Sequence, residues 1–371
     1  MRDRLGLAGV IERISLQRFA LPLRVPLATA RGAIAQREGV LLTLEARNAR
    51  GHGEAMPLPG WPGASLAQAE AWLQRAAPHL LQKCASDLLS RQIAGPPLAR
   101  AALECALLDL AARECGVPLA ASLAKSSARQ AVPVNALLSA RAPHEVAREA
   151  ERLAASGYRS FKLKVGAAPL AEDVARVAVL REAIGAQARL RLDANGGWTE
   201  VEASAALTAL ARFAPEYVEE PVANIEACAR LRARALVPIA LDEGAGDVDT
   251  ISHALALRAC DVLVLKPALL GGPRSARAVA ARAGDAGVDV VVTSFLDSAI
   301  GVAAALHCAT TLPLGERACG LATGALLARD LATLPVEGGV MRLPAGDGLG
   351  VAPDPDALSA CATAPRWEIA A

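Results

Sequence analysis

Aromatic side chains are scarce in this sequence: 4 Phe, 4 Trp and 2 Tyr among 371 residues. No stripe of Lys and Arg interleaves with them, and the 39 basic residues nearly cancel the 38 acidic ones. Nucleic acid, which calls for a basic surface and stacking rings, is disfavoured as the main partner. The eight cysteines contain no Cys-x-x-Cys pair, so neither a zinc ribbon nor a thioredoxin motif is signalled. Most of them sit among Ala, Leu or Val and read as small apolar fillers, reduced thiols of a cytoplasmic protein. The start, Met1–Gly9, mixes Arg2, Asp3 and Arg4 with a short apolar run, too weak for a signal peptide. Long uncharged runs are also few. The longest, Ser298–Gly315, carries His307 and Pro313 and predicts a buried helix and a turn rather than a membrane span. No Gly-x-Gly-x-x-Gly follows the first strand of the α/β region and no Gly-Lys-Ser/Thr loop occurs, so dinucleotide and P-loop readings lose ground.

What is present is a change of rhythm. Ile11–Ala20 and Gly39–Ala46 read as strands around a Pro-, Thr-, Arg- and Gly-containing loop from Leu21 to Arg37. Gly51–Gly63 is dense in Gly and Pro and reads as a second loop; both loops are placed where a lid would sit. Ser65–Ala124 turns helical, which makes an α+β unit. From Ala131 short β-type runs alternate with Ala/Leu/Arg helices: 132–134, 160–165, 190–193, 217–219, 237–242, 262–266 and 288–293. Repeated β-α units of this length predict a doubly wound sheet or a β/α barrel.

Charged residues end these strands: Lys162 and Lys164, then Asp193 with Asn195, then Glu219 and Glu220, then Asp242 and Glu243, then Lys266. The steps 193 − 164 = 29, 219 − 193 = 26, 242 − 219 = 23 and 266 − 242 = 24 are each about one β-α unit. A barrel gathers such groups at its C-terminal mouth. Three carboxylates from neighbouring strands then make a hard-oxygen site suited to Mg²⁺, with Mn²⁺ as a possible substitute, and two lysines face each other across it. A proton on carbon next to a carboxylate is a poor acid. A divalent ion offsets the charge that its loss creates, and a lysine with a lowered pKa can take the proton. Lys162 and Lys164 share one strand face, so their mutual repulsion favours loss of one proton. Singly, a Lys-x-Lys is usually a solvated strand face and Asp-x-Asn-Gly or Asp-Glu-Gly a turn. Their joint order and spacing outweigh those readings. Arg191, two residues before Asp193, points into the same barrel. Burial favours a structural pair with Glu220 or Glu243, and the functional alternative is substrate contact.

Lys-x-Lys, Asp-x-Asn-Gly, Glu-Glu-Pro, Asp-Glu and Lys-Pro, in this order, resemble the muconate lactonizing subgroup of the enolase superfamily over nearly the whole chain. Gly51-x-Gly53-Glu54-Ala55 is similar to that family's capping domain, and Gly346-x-Gly348-Leu349-Gly350 to the segment that returns to it. The resemblance implies an α/β protein: a modified (β/α)7β TIM barrel over 129–335 and an α+β cap over 1–128, completed by 336–371. It implies metal ligands Asp193, Glu219 and Asp242, Lys164 as base, and Lys162 and Lys266 as further catalytic groups. It implies a small-molecule carboxylate substrate met by Arg191, Asn195, Thr293, Ser294 and Asp297, with no nucleic acid or membrane partner and the oligomeric state open. A mandelate racemase would carry His at the end of the seventh strand, where Thr293–Asp297 stands. Val264–Gly272, Thr293–Gly301 and Gly320-Leu321-Ala322-Thr323-Gly324 are similar to o-succinylbenzoate synthases, with Asp297 where Glu is usual. That likeness implies a lyase of menaquinone synthesis that removes an α-proton and eliminates water. Racemisation of N-acylated amino acids or epimerisation of dipeptides is the alternative, muconate-type cycloisomerisation comes third, and a binding barrel without activity comes last.

Overall fold

The computed structural model describes residues 9–29, 32–59, 61, 64–124 and 128–371. The expectation about a leader falls on 1–8, outside the described residues.

The first unit is a sheet covered by helices. Strands β1 (Ile11–Thr29), β2 (Gly32–Ala46) and β3 (Ala49–Ala55) form an antiparallel meander. Helices α1 (Leu66–Ala76), α2 (Ala85–Leu89), α3 (Pro97–Glu114) and α4 (Leu119–Leu123) follow. The first predicted loop is largely strand, and the second begins as strand and is loop among its described residues from Met56 on. In the segment 21–37, β1 and β2 pair again beyond an irregularity between Pro22 and Leu27, which absorbs two prolines that cannot donate to a ladder. Residues 51–55 belong to β3, and their glycines answer to packing rather than to a turn. A Cβ on Gly51 would lie 2.1 Å from the Ala106 carbonyl oxygen, and one on Gly53 2.0 Å from that of Ala102. Helix α3 therefore lies directly on the strand, and 13 of its residues from Leu98 to Ala112 are buried there. Gly53→Ala is expected to cost about 1–3 kcal/mol or more through this overlap. An unchanged denaturation midpoint would show that strand and helix can separate freely.

The second unit begins with β4 (Ala131–Pro133), then alternates: β5 (Ala136–Leu138), α5 (Pro143–Ala155), β6 (Ser160–Lys164), α6 (Leu170–Ile184), β7 (Arg189–Asp193), α7 (Glu200–Leu210) and β8 (Tyr217–Glu219). It continues with α8 (Ile225–Arg232), β9 (Ile239–Leu241), α9 (Val248–Ala256), β10 (Val262–Leu265), α10 (Pro273–Asp285), β11 (Asp289–Val292) and α11 (Ala299–Ala309). Helix α11 is the buried helix expected within 298–315, and no described helix is long and apolar enough to cross a membrane. Strands β5 to β11 form one parallel sheet in sequence order. The two residues 319–320 close it. Cys319 N donates to Pro133 O at 2.8 Å and Gly320 N to Val292 O at 2.8 Å, joining the two edges into an eight-membered ring.

Residues 132–134, expected as the first barrel strand, mostly do something else. Strand β4 pairs antiparallel with β12 (Val340–Arg342), because a Pro at 133 removes the donor a central strand needs. After β12 and α12 (Pro355–Cys361), β13 (Trp367–Ala370) adds to the outer edge of β1.

Alternation along the strands sorts the barrel residues. Phe161, Leu163, Leu190, Leu192, Val218, Leu263 and Leu265 face the helices in the main core. Tyr217, Ala240, Val262, Val264 and Val291 form a small separate cluster inside the ring. Two carboxylates of the first unit dock on the second. Glu104 of α3 accepts from Arg274 N at 2.9 Å in the first turn of α10. Glu54 of β3 accepts from Ser298 N at 2.9 Å and Gly301 N at 3.1 Å at the start of α11. Both use the unpaired amides and positive dipole end of a helix.

Candidate active site at the barrel mouth

The register places the predicted residues in two tiers. Lys164 is level with Asp193, and Asp193 with Glu219, across β6, β7 and β8. One tier lower, Lys162 is level with Arg191, and Arg191 with Tyr217. Asp242 and Lys266 follow the last residues of β9 and β10. In a ring of eight, β6 and β10 are four places apart, so Lys164 and Lys266 rise from opposite walls. The carboxylates of β7, β8 and β9 occupy the wall between them.

The two lysines of β6 have different surroundings. Lys162 Nζ lies 2.5 Å from Glu219 Oε1 and 2.9 Å from Asp193 Oδ2. Burial alone would lower its pKa, but Asp193 and Glu219 outweigh that and hold it well above the usual lysine range. Lys162 therefore keeps its charge, neutralised locally by these two carboxylates. Lys164 is exposed and donates to Asn195 Oδ1 at 2.8 Å. Asn195 Nδ2 donates in turn to Glu243 Oε1 at 2.9 Å, and Asn195 N to Asp193 Oδ1 at 3.0 Å. Asn195 thus aims the free amine and steadies a carboxylate. It does so with φ +45°, a left-handed conformation that Asn tolerates well.

Lys266 is buried. Burial brings its amine down to about 7, against the opposing pull of Glu219. It touches Asp242 Oδ1 closely, although neither atom has an aligned hydrogen-bond partner, so the contact is a charge pair. The ring of Trp61 covers it, with Nζ 4.6 Å from the centroid. Asp242 is positioned through its backbone: its N donates to Glu220 Oε2 at 2.7 Å, and Gly244 N to Glu220 Oε1 at 2.9 Å. Burial and the Glu243 charge push Glu220 up to about 8. Among the described residues no three His, Cys, Asp or Glu side chains converge at metal-ligand spacing, since two ammonium groups stand among the three carboxylates. The donor set fits a hard divalent ion all the same: three carboxylates on adjacent strand ends, with a buried Asp242 Oδ1 that meets the Lys266 amine but accepts no aligned hydrogen bond.

Arg191 takes neither carboxylate expected for it. Its Nε donates to Glu216 Oε2 at 2.7 Å and its Nη1 to Ala318 O at 2.8 Å. Glu220 and Glu243 lie beyond the strand ends, above its tier, whereas Glu216 precedes β8 at the barrel floor. Its Nη2 is buried without a partner, and the guanidinium carbon is 4.9 Å from the Tyr217 ring centre. Arg191 also borders a cavity of about 90 Å³ that reaches Lys162, Glu219, Thr293 and Thr323. Thr293 Oγ1 donates to Gly320 O at 2.8 Å, so this residue fastens the eighth strand as well as lining the cavity. Ser294 Oγ is 2.6 Å from Thr323 Oγ1. Asp297 turns back to accept from Phe295 N at 2.8 Å. Sequence reasoning named Thr323 only as part of a motif and gave no role to Glu216 or Trp61. For Trp61 the signal was its size, a rare indole in a Gly/Pro-rich stretch.

Residues 145–357 match the family described as enolase C-terminal domain-like. Residues 13–123 match the N-terminal domain of mandelate racemases and muconate lactonizing enzymes. The chain is 42% identical over 215 residues to an o-succinylbenzoate synthase of Mycobacterium tuberculosis, a stretch covering 57% of this chain and 64% of that protein. With the Mycobacterium leprae o-succinylbenzoate synthase it shares 41% identity over 250 residues, 65% of this chain and 70% of that one. The match thus spans slightly under two thirds of the length of the first of these relatives. Among solved structures it is similar to an N-succinyl Arg/Lys racemase from Bacillus cereus, at 26% identity and TM-score 0.88, covering 97% of this chain and 100% of that one. It is likewise similar to a muconate lactonizing enzyme from Pseudomonas fluorescens complexed with muconolactone, at 28% identity and TM-score 0.88, covering 96% and 100%. With a family match over more than half its length, a cap sheet and a closed β/α ring, the chain belongs to the enolase superfamily.

Proposed function

We propose that this protein is a Mg²⁺-dependent lyase that removes the proton next to a substrate carboxylate and eliminates water, forming o-succinylbenzoate. The observation that carries the reading is the level row Lys164–Asp193–Glu219, with Lys266 on the opposite wall. In this reading 1–128 with 336–371 is the cap and 129–335 the barrel. Asp193, Glu219 and Asp242 hold the ion, which supplies positive charge where the substrate carboxylate gains a second negative one. Lys164, the accessible amine, takes the proton while Asn195 keeps it oriented. Lys162 stays charged and, with Lys266, stabilises the developing anion. Lys164 then returns its proton to the departing hydroxide, and the new aromatic ring drives the reaction. Arg191 and Thr293 line the floor that receives the rest of the substrate, Ser294 supports that floor through Thr323, and Arg191 Nη2 is an unused donor beside it. Asp297 acts through the Phe295 backbone rather than by contact.

A second reading, racemisation of N-succinyl amino acids, is favoured by the opposed lysines and by the likeness to the racemase. The test is to offer the purified protein the succinyl-hydroxycyclohexadiene carboxylate and, separately, N-succinyl amino acids, with Mg²⁺ and with chelator. Mg²⁺-dependent loss of the diene absorbance is the expected result. Deuterium exchange into the N-succinyl amino acid alone would favour the racemase, and neither activity would overturn both.

A further inference from the structure

Arg37 lies in β2, far along the chain from the barrel mouth, and its side chain is fully buried. Among the described residues no carboxylate lies within ion-pair distance of it. Its guanidinium instead gathers backbone carbonyls from two loops. Nη2 donates to Met56 O at 2.7 Å and Nη1 to Pro57 O at 2.7 Å, both just after β3. Nη2 and Nε also donate to Phe295 O and Leu296 O, each at 3.2 Å, in the loop after β11. Only a planar fork of five donors can span four acceptors in this way. Burial lowers its pKa, opposed by the more distant charges of Asp297 and Glu54.

Both loops carry an aromatic ring. From Pro57 the chain runs to Trp61, whose N donates to Leu58 O at 3.1 Å. The Phe295 peptide is held on both sides, its N–H by Asp297 and its C=O by Arg37. The two rings meet edge to face at 5.2 Å and 76°. The Trp61 face then covers Lys266. We infer that Arg37 is a positioning residue that clamps the cap loop and the seventh-strand loop together, and so seats Trp61 over Lys266 as the wall that fixes this amine and shields it from water. The inference rests on the proposed role of Lys266 as a charge that stabilises the developing anion.

Four proteins test it: the wild type, Arg37→Lys, Trp61→Ala and the double variant. Two measurements are made with Mg²⁺ present. The first is the rate at which an amine-reactive reagent labels Lys266, mapped by mass spectrometry, which needs no activity. Each single variant is expected to raise it at least about tenfold, and the double variant no further, because residues acting through one contact are not additive. The second is dehydration kinetics, where kcat should fall about 10- to 100-fold with KM and Mg²⁺ affinity little changed. Phe295→Leu leaves its carbonyl for Arg37 and removes only the ring. It should reproduce the Trp61→Ala labelling rate, and it carries the test if Arg37→Lys does not fold. Wild-type labelling retained in Phe295→Leu, or single-variant effects that multiply in the double variant, would overturn the clamp. A wild type with protected Lys266 but no Mg²⁺-dependent turnover would instead refute the lyase reading and leave the clamp standing on its labelling data.

Discussion

Lys164→Ala is expected to abolish substrate proton exchange, with a loss of at least about 10²–10⁴-fold, the usual contribution of one general base. The fold should survive, because Lys164 is exposed and its partner Asn195 keeps two other hydrogen bonds. Lys266→Arg should separate the two candidate reactions. An arginine retains the positive charge but cannot act as a base at neutral pH. Dehydration uses one proton carrier on one face, so it should continue at a reduced rate. Racemisation needs a carrier on each face, so it should disappear. The measurement is both rates, side by side, in both variants. If Lys266→Arg loses dehydration as fully as Lys164→Ala does, with metal binding intact, the single-base mechanism is wrong.

The second large effect concerns the ion. Chelation is expected to stop turnover, and Mg²⁺ or Mn²⁺ to restore it. Asp242→Asn should weaken metal binding by more than the roughly 10–100-fold that loss of an outer-shell partner costs a metal site. It should also change Lys266, which would lose the anion it now touches. Glu220→Gln tests the support of the same ligand from behind: glutamine offers one acceptor for the Asp242 and Gly244 amides and turns an NH2 toward the other, so a loss smaller than that of Asp242→Asn but clearly measurable is expected. Full activity in excess chelator, with metal-free protein verified, would remove the three-carboxylate assignment.

Much of this architecture could be read along the chain because its chemistry is periodic. A charged group every 23 to 29 residues, each at the end of a β-type run, is the pattern that a ring of β-α units imposes on its mouth. The errors have a common cause in contacts made far along the chain. Gly51 and Gly53 looked like turn residues, but they are small because the backbone of α3 crosses at 2.0–2.1 Å from where a Cβ would be. Strand 132–134 looked like the first stave, but Pro133 hands most of it to β12, more than 200 residues later. Arg191 was correctly placed inside the barrel by its two-residue offset from Asp193. Its partner could not be chosen, because Glu216, Glu220 and Glu243 are among five glutamates within one β-α unit and only the tier distinguishes these three. The Arg37 fork left no trace in the sequence at all, since all its acceptors are carbonyls, which every residue possesses.

The two docked carboxylates bear on the order of assembly. Glu54 and Glu104 are both buried against amides at the first turns of α11 and α10. Glu104 and Glu54 precede their partners in these helices by 170 and 244 residues and leave the ribosome first. A cap that collapsed at once would bury two acidic groups with nothing to receive them, at several kcal/mol each. The early chain therefore has reason to wait, partly formed, until the last third of the barrel has emerged. Strand β13, the final four-residue piece of β structure, then seals the edge of β1. In such a molecule the N-terminal half is synthesised early but matures late, and a truncation near residue 290 should leave a cap that never settles.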